Sequence, residues 1–289
     1  MWVVSPVRYT DDTTDAGPLA VAHRGGAGLH PENSLTAFAH SYGLGVRWHE
    51  TDVRASADGV AVLHHDRMLT RLFGLDAAVA DLTWEQLSAL RTTAGDRLVR
   101  PVDVLDAFPD ARFAIDLKEP EAVPGLLADV RRTRAAGRVC LSGAPDRVLC
   151  DAASAEPGVT TALGWRTLVQ LIAAARLRAP APGLARRPRH ARWAHVPDRL
   201  LGAGVLTEGV VSRAVDLGLH VMAWTVDDPD RMRALLDIGV RGVITDRPDL
   251  LREVLVARGQ WRAPRPVTAR PPAARALPPR ALRADAGSA

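Results

Sequence analysis

The sequence predicts one (β/α)8 barrel, an α/β TIM-barrel architecture of eight parallel strands each followed by a helix. Two observations point there. Short apolar or β-branched runs alternate with longer amphipathic stretches almost throughout, which is how βα units feeding a parallel sheet are written. The chain's 289 residues also suit one barrel, which takes roughly 250. With 47% hydrophobic and 24% charged residues, there is apolar material for one large core. We therefore expect an N-terminal extension over 1–18, the barrel over 19–258, and a disordered Pro/Ala/Arg-rich tail over 259–289.

Taken in order, Leu19 to Ala22 is an apolar strand that stops at His23. Ser34 to Tyr42 reads as a helix opened by Pro31, Glu32 and Asn33, with Asn33 a plausible N-cap. Val46 to Val53 is the second strand, and Trp84 to Leu90 a helix started by Thr83. Arg112 to Leu117 is the third strand, Val139 to Leu141 the fourth and Val159 to Leu163 the fifth. The sixth falls between Trp193 and Val205. Leu219 to Thr225 and Val240 to Thr245 are the seventh and eighth, the last followed by a helix through Leu255.

Charge and composition narrow the function classes. No apolar run approaches the ~18 residues of a membrane span, and no secretory leader is recognisable, so the expectation is a cytoplasmic protein without a transmembrane segment. Two cysteines, Cys140 and Cys150, make no disulfide framework and read as ordinary thiols. The formal charge is +4, and of 37 basic residues only Lys118 is lysine. A lone tunable ammonium in a chain that otherwise uses arginine is suggestive beside carboxylates. The excess arginine lies in Arg176–Arg192 and after Gln260, mixed with Pro and Ala without periodicity. Both stretches read as solvated, unstructured segments rather than nucleic-acid contacts, because no aromatic residues interleave the tail's arginines to stack on bases.

In such barrels the chemistry sits at the C-terminal ends of the strands. The first strand ends in His23-Arg24-Gly25-Gly26, where glycine backbone allows close approach of a ligand and Arg24 could grip an anion. The second carries Glu50 and Asp52, which point the same way because strand side chains alternate. Two like charges on one interior face repel unless a cation lies between them, and hard oxygen ligands suit Ca²⁺ or Mg²⁺. His64 and His65 face opposite sides of their segment, so at most one serves the site. Asp116 and Lys118 share a face at the third strand end. Trp224, on the seventh, is either core or a wall for a ligand.

Assembled in this order, the residues resemble the glycerophosphodiester phosphodiesterase family over about 19–257. HRGGAGLHPENSLTAF (His23 to Phe38) is similar to its opening motif, and ETDVRASADGVAVLHHD (Glu50 to Asp66) to its metal and second-histidine segment, which Arg71 to Gly74 continue. AIDLK (Ala114 to Lys118) stands at its Lys-ending strand, while AWTVDD and GVRGVITDRP resemble its closing strands. The resemblance implies a phosphodiesterase barrel with a divalent cation, Ca²⁺ or Mg²⁺, acting on a small-molecule glycerophosphodiester to release sn-glycerol 3-phosphate. It implies His23 and His65 as the acid/base pair, Arg24 and Lys118 as the phosphate grip, and Glu50, Asp52 and Asp116 as metal ligands; Trp224, read from its strand end, is core or a wall against the substrate's glycerol. The chain departs from the family pattern where Asp116 replaces a common Glu, Ser34 a common Thr, and Ser142-Gly143 a common Ser-Phe. Two other readings have less support. A sphingomyelinase-D-like phospholipase is typically secreted and disulfide-bonded, and a catalytically silent phosphoester-binding barrel would not need both histidines and all three carboxylates.

Overall fold

The computed structural model describes residues 9, 17–180, 182–185, 187–200 and 202–262. Eight parallel strands form β1 (Leu19–Ala22), β2 (Trp48–Ala55), β3 (Arg112–Leu117), β4 (Val139–Ser142), β5 (Thr160–Ala162), β6 (Ala191–Pro197), β7 (His220–Trp224) and β8 (Gly242–Thr245). Each pairs with its successor and β8 pairs back onto β1, closing the barrel. The surrounding helices are α1 (Leu35–Gly43), α2 (Pro101–Ala107), α3 (Ala122–Arg132), α4 (Asp146–Ala155), α5 (Trp165–Leu177), α6 (Glu208–Asp216), α7 (Pro229–Asp237) and α8 (Pro248–Ala257). The excursion between β2 and α2 adds an antiparallel strand, Ala61–Leu63, on β2. It also adds short helices at Thr70–Phe73 and Trp84–Ala89, packed around Val62, Leu69 and Leu87.

The strands are short and buried on both faces, so they need apolar side chains pointing in and out. Leu19, Val21, Trp48, Ala114, Cys140, Trp193, Met222 and Ile244 fill the inside. Their outward neighbours, such as Ala20, Val221 and Val243 on one side and Phe113, Ile115 and Leu141 on the other, pack under the helices. Tyr9 is fully buried in the inner cluster. Its ring meets Trp48 edge-on at 4.5 Å and Trp193 at 5.5 Å. An aromatic layer thus lies beneath Glu50, two residues further along β2.

Several boundaries move for physical reasons. β2 runs on to Ala55 because Arg54 and Ala55 pair with Val62 and Ala61. β6 begins at Ala191, ahead of the expected Trp193. Ser34, not Asn33, caps α1, accepting from the Ala37 amide; Asn33 is in the left-handed region at φ 55 and turns its amide inward to Asp52 and Thr51. The described residues of the Arg/Pro-rich stretch are more ordered than expected. Leu184 is buried, and Arg187 donates to the Ala191, Leu184 and Leu217 carbonyls. Such bonds hold a segment that composition reads as solvated. At the other end, Trp261 packs against the outer core with its amide on Leu255 at 3.0 Å. The expected N-terminal extension apart from Tyr9, Gly17 and Pro18, and the expected tail beyond Arg262, lie outside the described residues. Cys140 is buried, Cys150 partly so, and both are free thiols. Among the described residues no helix is long and apolar enough to cross a membrane.

Candidate active site

Barrel register brings the acidic residues together. Asp52 on β2 lies beside Asp116 on β3, which lies beside Ser142 on β4. Glu50 sits one inward position below Asp52 on the same strand. The result is a cluster in which one oxygen from each of Glu50, Asp52 and Asp116 falls within 4.8 Å of the others. Glu50 and Asp52 are buried. Burial first, then the charges of Asp52 and Asp116, push the Glu50 carboxyl up from its ordinary range. Asp52 is held low: burial alone would raise it, but Lys118 and Arg24 outweigh that.

Lys118 sits among these charges. Its Nζ is 2.8 Å from Asp52 Oδ1 and donates to Asp116 Oδ2 at 3.3 Å. Burial would lower the ammonium, but the Asp116 and Asp52 carboxylates keep it above its usual value. Ser142 Oγ donates a short hydrogen bond to Asp116 Oδ1. Gly143 must be glycine: φ is +72°, and a Cβ there would come within 2.7 Å of the Asp116 carboxyl carbon. The donor set fits a hard divalent cation, since three carboxylate oxygens converge in a buried site where their mutual repulsion calls for one.

The two histidines stand on either side of this cluster. His23 ends β1, and its Nδ1 is 2.6 Å from Asp246 Oδ1, just beyond β8; Nε2 lies 3.7 Å from Glu50 Oε2. Burial would lower this imidazole, but the Asp246 hydrogen bond and the Glu50 charge reverse the shift, and the net effect is upward. His65 Nδ1 is 2.8 Å from Asp66 Oδ1. Asp66 in turn accepts from Arg71 Nε at 2.6 Å, and Arg71 makes two 2.8 Å bonds to Glu32. Glu32 also accepts from Arg24 at 3.1 Å, and Arg24 Nε lies 3.2 Å from Asp52 without hydrogen-bond geometry. A chain of alternating charges therefore links His65 to Arg24. His64 turns away: it is buried beside Phe73, its Nε2 3.3 Å from the Met68 carbonyl.

His23, Arg24, Glu50, Asp52, His65, Asp116, Lys118 and Trp224 all line one cavity at the C-terminal mouth. Sequence reasoning missed several residues that complete it. Asp246 falls inside the closing motif GVRGVITDRP, and Glu32 and Asp66 inside the two earlier motifs, where the sequence assigns none of them a role. His195 on β6 also lines the cavity, and burial drops its pKa to about 4, so its ring is neutral. A histidine inside β6, two residues past an inward tryptophan, was the available signal. The opposite wall is apolar: Gly143, Ala144, Leu163, Trp165 and Leu168.

A closed α/β barrel carrying clustered carboxylates, two carboxylate-oriented histidines and an Arg/Lys pair at one mouth defines an enzyme of phosphoric-diester chemistry. The chain matches the model of the glycerophosphoryl diester phosphodiesterase family over residues 23–250, and it belongs to that family. It is 38% identical over 253 residues to a Mycobacterium tuberculosis protein named "Probable glycerophosphodiester phosphodiesterase 2", covering 85% of this chain and 93% of that one. Among solved structures, the glycerophosphoryl diester phosphodiesterase domain of another M. tuberculosis protein has a TM-score of 0.71 at 24% identity, covering 83% of this chain and 99% of that one. An Oleispira antarctica phosphodiesterase, solved with the product sn-glycerol-3-phosphate, has a TM-score of 0.67 at 18% identity, covering 83% and 97%. At these identities the two structures speak for the fold.

Proposed function

We propose that this protein hydrolyses glycerophosphodiesters to sn-glycerol 3-phosphate and an alcohol, with a divalent cation, Ca²⁺ or Mg²⁺, held by Glu50, Asp52 and Asp116. The observation that carries the reading is that His23 and His65, two of the three cavity histidines, have Nδ1 on a carboxylate, Asp246 or Asp66, leaving Nε2 of each for proton transfer. Such pairing fixes tautomer and ring orientation. Arg24 and Lys118 hold the phosphate, and Trp224 bounds the glycerol. One histidine takes the proton from the attacking oxygen; the other returns one to the departing alkoxide. The cation, when bound, supplies charge stabilisation to the phosphoryl oxygens. Family membership and the M. tuberculosis relative's name support the substrate class.

The test is choline release from glycerophosphocholine in chelated and metal-replete buffer. Turnover should require added cation, and His23→Ala or His65→Ala should each lower kcat by roughly 10² or more with the fold intact. His64→Ala serves as control and should change turnover much less. Metal-independent turnover, or near-normal turnover in the His65 variant, would overturn the reading.

A further inference from the structure

The cavity has two unlike walls. On the β1–β3 side every residue that reaches it is ionisable. On the β4–β6 side, Gly143, Ala144, Leu163 and Leu168 bring no side-chain donor or acceptor. Trp165 has one donor, its indole Nε1, which is taken up by the Gly143 carbonyl at 3.0 Å. His195 is the remaining lining residue on this side. It stands two residues beyond the inward Trp193 on β6, level with Met222 of the inner cluster, and is 8% exposed. It makes no hydrogen bond among the described residues, and its Nε2 is closed off from water without a partner. Nor does it belong to the acidic cluster, whose three carboxylates gather without it.

Leaving a buried polar group unpaired is costly, so a free imidazole in the wall of a ligand cavity is a group kept for the ligand. Its charge narrows what that ligand offers. Burial lowers the His195 pKa to about 4 against the opposing Asp116 charge, so the ring is neutral near pH 7. It therefore lacks the positive charge with which Arg24 and Lys118 attract an anion. No carboxylate lies on this wall to receive a cationic headgroup. A neutral imidazole has one donor and one acceptor nitrogen, and a hydroxyl matches either, because it donates or accepts according to the tautomer it meets. Resting on the phosphodiesterase reading above, we propose that His195 is a specificity residue that hydrogen-bonds a free hydroxyl of the substrate's glycerol. The glycerol carbons then lie on Leu163 and Leu168, and Trp224 bounds them from β7, the strand beside β6. His195 acts on the polyol and not on the phosphate.

Calorimetry on the full chain in metal-replete buffer compares sn-glycerol 3-phosphate with propyl phosphate, which keeps the phosphate and the three carbons but lacks both hydroxyls. Kd should favour sn-glycerol 3-phosphate by about tenfold or more, the discrimination that a hydrogen bond in a buried site provides. His195→Leu should abolish that preference, with the loss falling on sn-glycerol 3-phosphate. His195→Gln, which keeps a neutral donor and acceptor, should retain part of it. A wild-type protein without the preference would overturn the assignment. So would a preference that survives His195→Leu, or one lost equally in both variants. Choline release from glycerophosphocholine, measured alongside, tests the phosphodiesterase reading separately. Its absence with the binding preference intact would bring down that reading, and its presence without the preference would bring down the His195 assignment alone.

Discussion

His49 makes the fold acid-sensitive in a way that can be isolated from the active site. It lies on β2 between the inward-facing Trp48 and Glu50, and its ring points outward into the helix layer. The ring stacks on Phe113 at 5.4 Å and 26°, and meets Phe38 edge-on at 5.6 Å. It is fully buried, and neither ring nitrogen has a hydrogen-bond partner. Burial first, and then the Arg47 charge, lower its pKa from 6.5 to about 3, with Asp110 opposing weakly. Because the folded value lies below the unfolded one, unfolding takes up a proton between these two pH values. Stability is full above the upper value and falls as pH drops through the window. The loss comes to about 2 kcal/mol by pH 5 and at most about 5 kcal/mol. His49→Leu removes the titration and two unsatisfied polar atoms, so it should be neutral or stabilising by about 1–3 kcal/mol at pH 8. Urea unfolding at pH 8 and pH 5 should then show the variant's advantage growing by about 2 kcal/mol towards acid. Parallel stability curves for the two proteins would refute the reasoning.

Two further outcomes test the site. Asp116→Asn should raise the Kd for the divalent cation in calorimetry and lower activity, with partial rescue by excess metal, while Asp116→Glu should keep substantial activity. An unchanged Kd would make Asp116 the partner that positions Lys118, to which it is bonded at 3.3 Å. Arg71→Met cuts both the Asp66 and Glu32 bonds, so it should lower kcat by about tenfold with little change in KM. Arg71→Lys, which keeps the charge but loses the fork, should recover part of it; equal activity in all three proteins would show that the chain does not orient His65.

Alternation along a strand was enough to place Glu50 with Asp52 and Asp116 with Lys118 on shared faces, because the period of two is a property of the extended backbone. The eight-strand count was legible for the same kind of reason: buried strands need apolar runs of limited length. Strand ends were less legible, as at Ala55 and Ala191, because ladder partners and not composition decide where pairing stops. The choice between His64 and His65 was open to alternation. Family resemblance favoured His65, and the burial of His64 beside Phe73 leaves His65 alone of the two in the cavity.

What the sequence by itself determined is the architecture and the local pairing of charges within each strand. Closure of the barrel decided the rest. It sets Asp246 against His23 across 223 residues, and it puts Asp52 level with Asp116. It also frees Asn33 from its expected capping role to reach Asp52. Arg71 becomes a tie between Glu32 and Asp66, and Trp165 stands on the Gly143 carbonyl. None of these contacts has a sequence period. Each joins side chains whose spacing is set by the order in which strands return to the same mouth, a distance that only the closed sheet fixes.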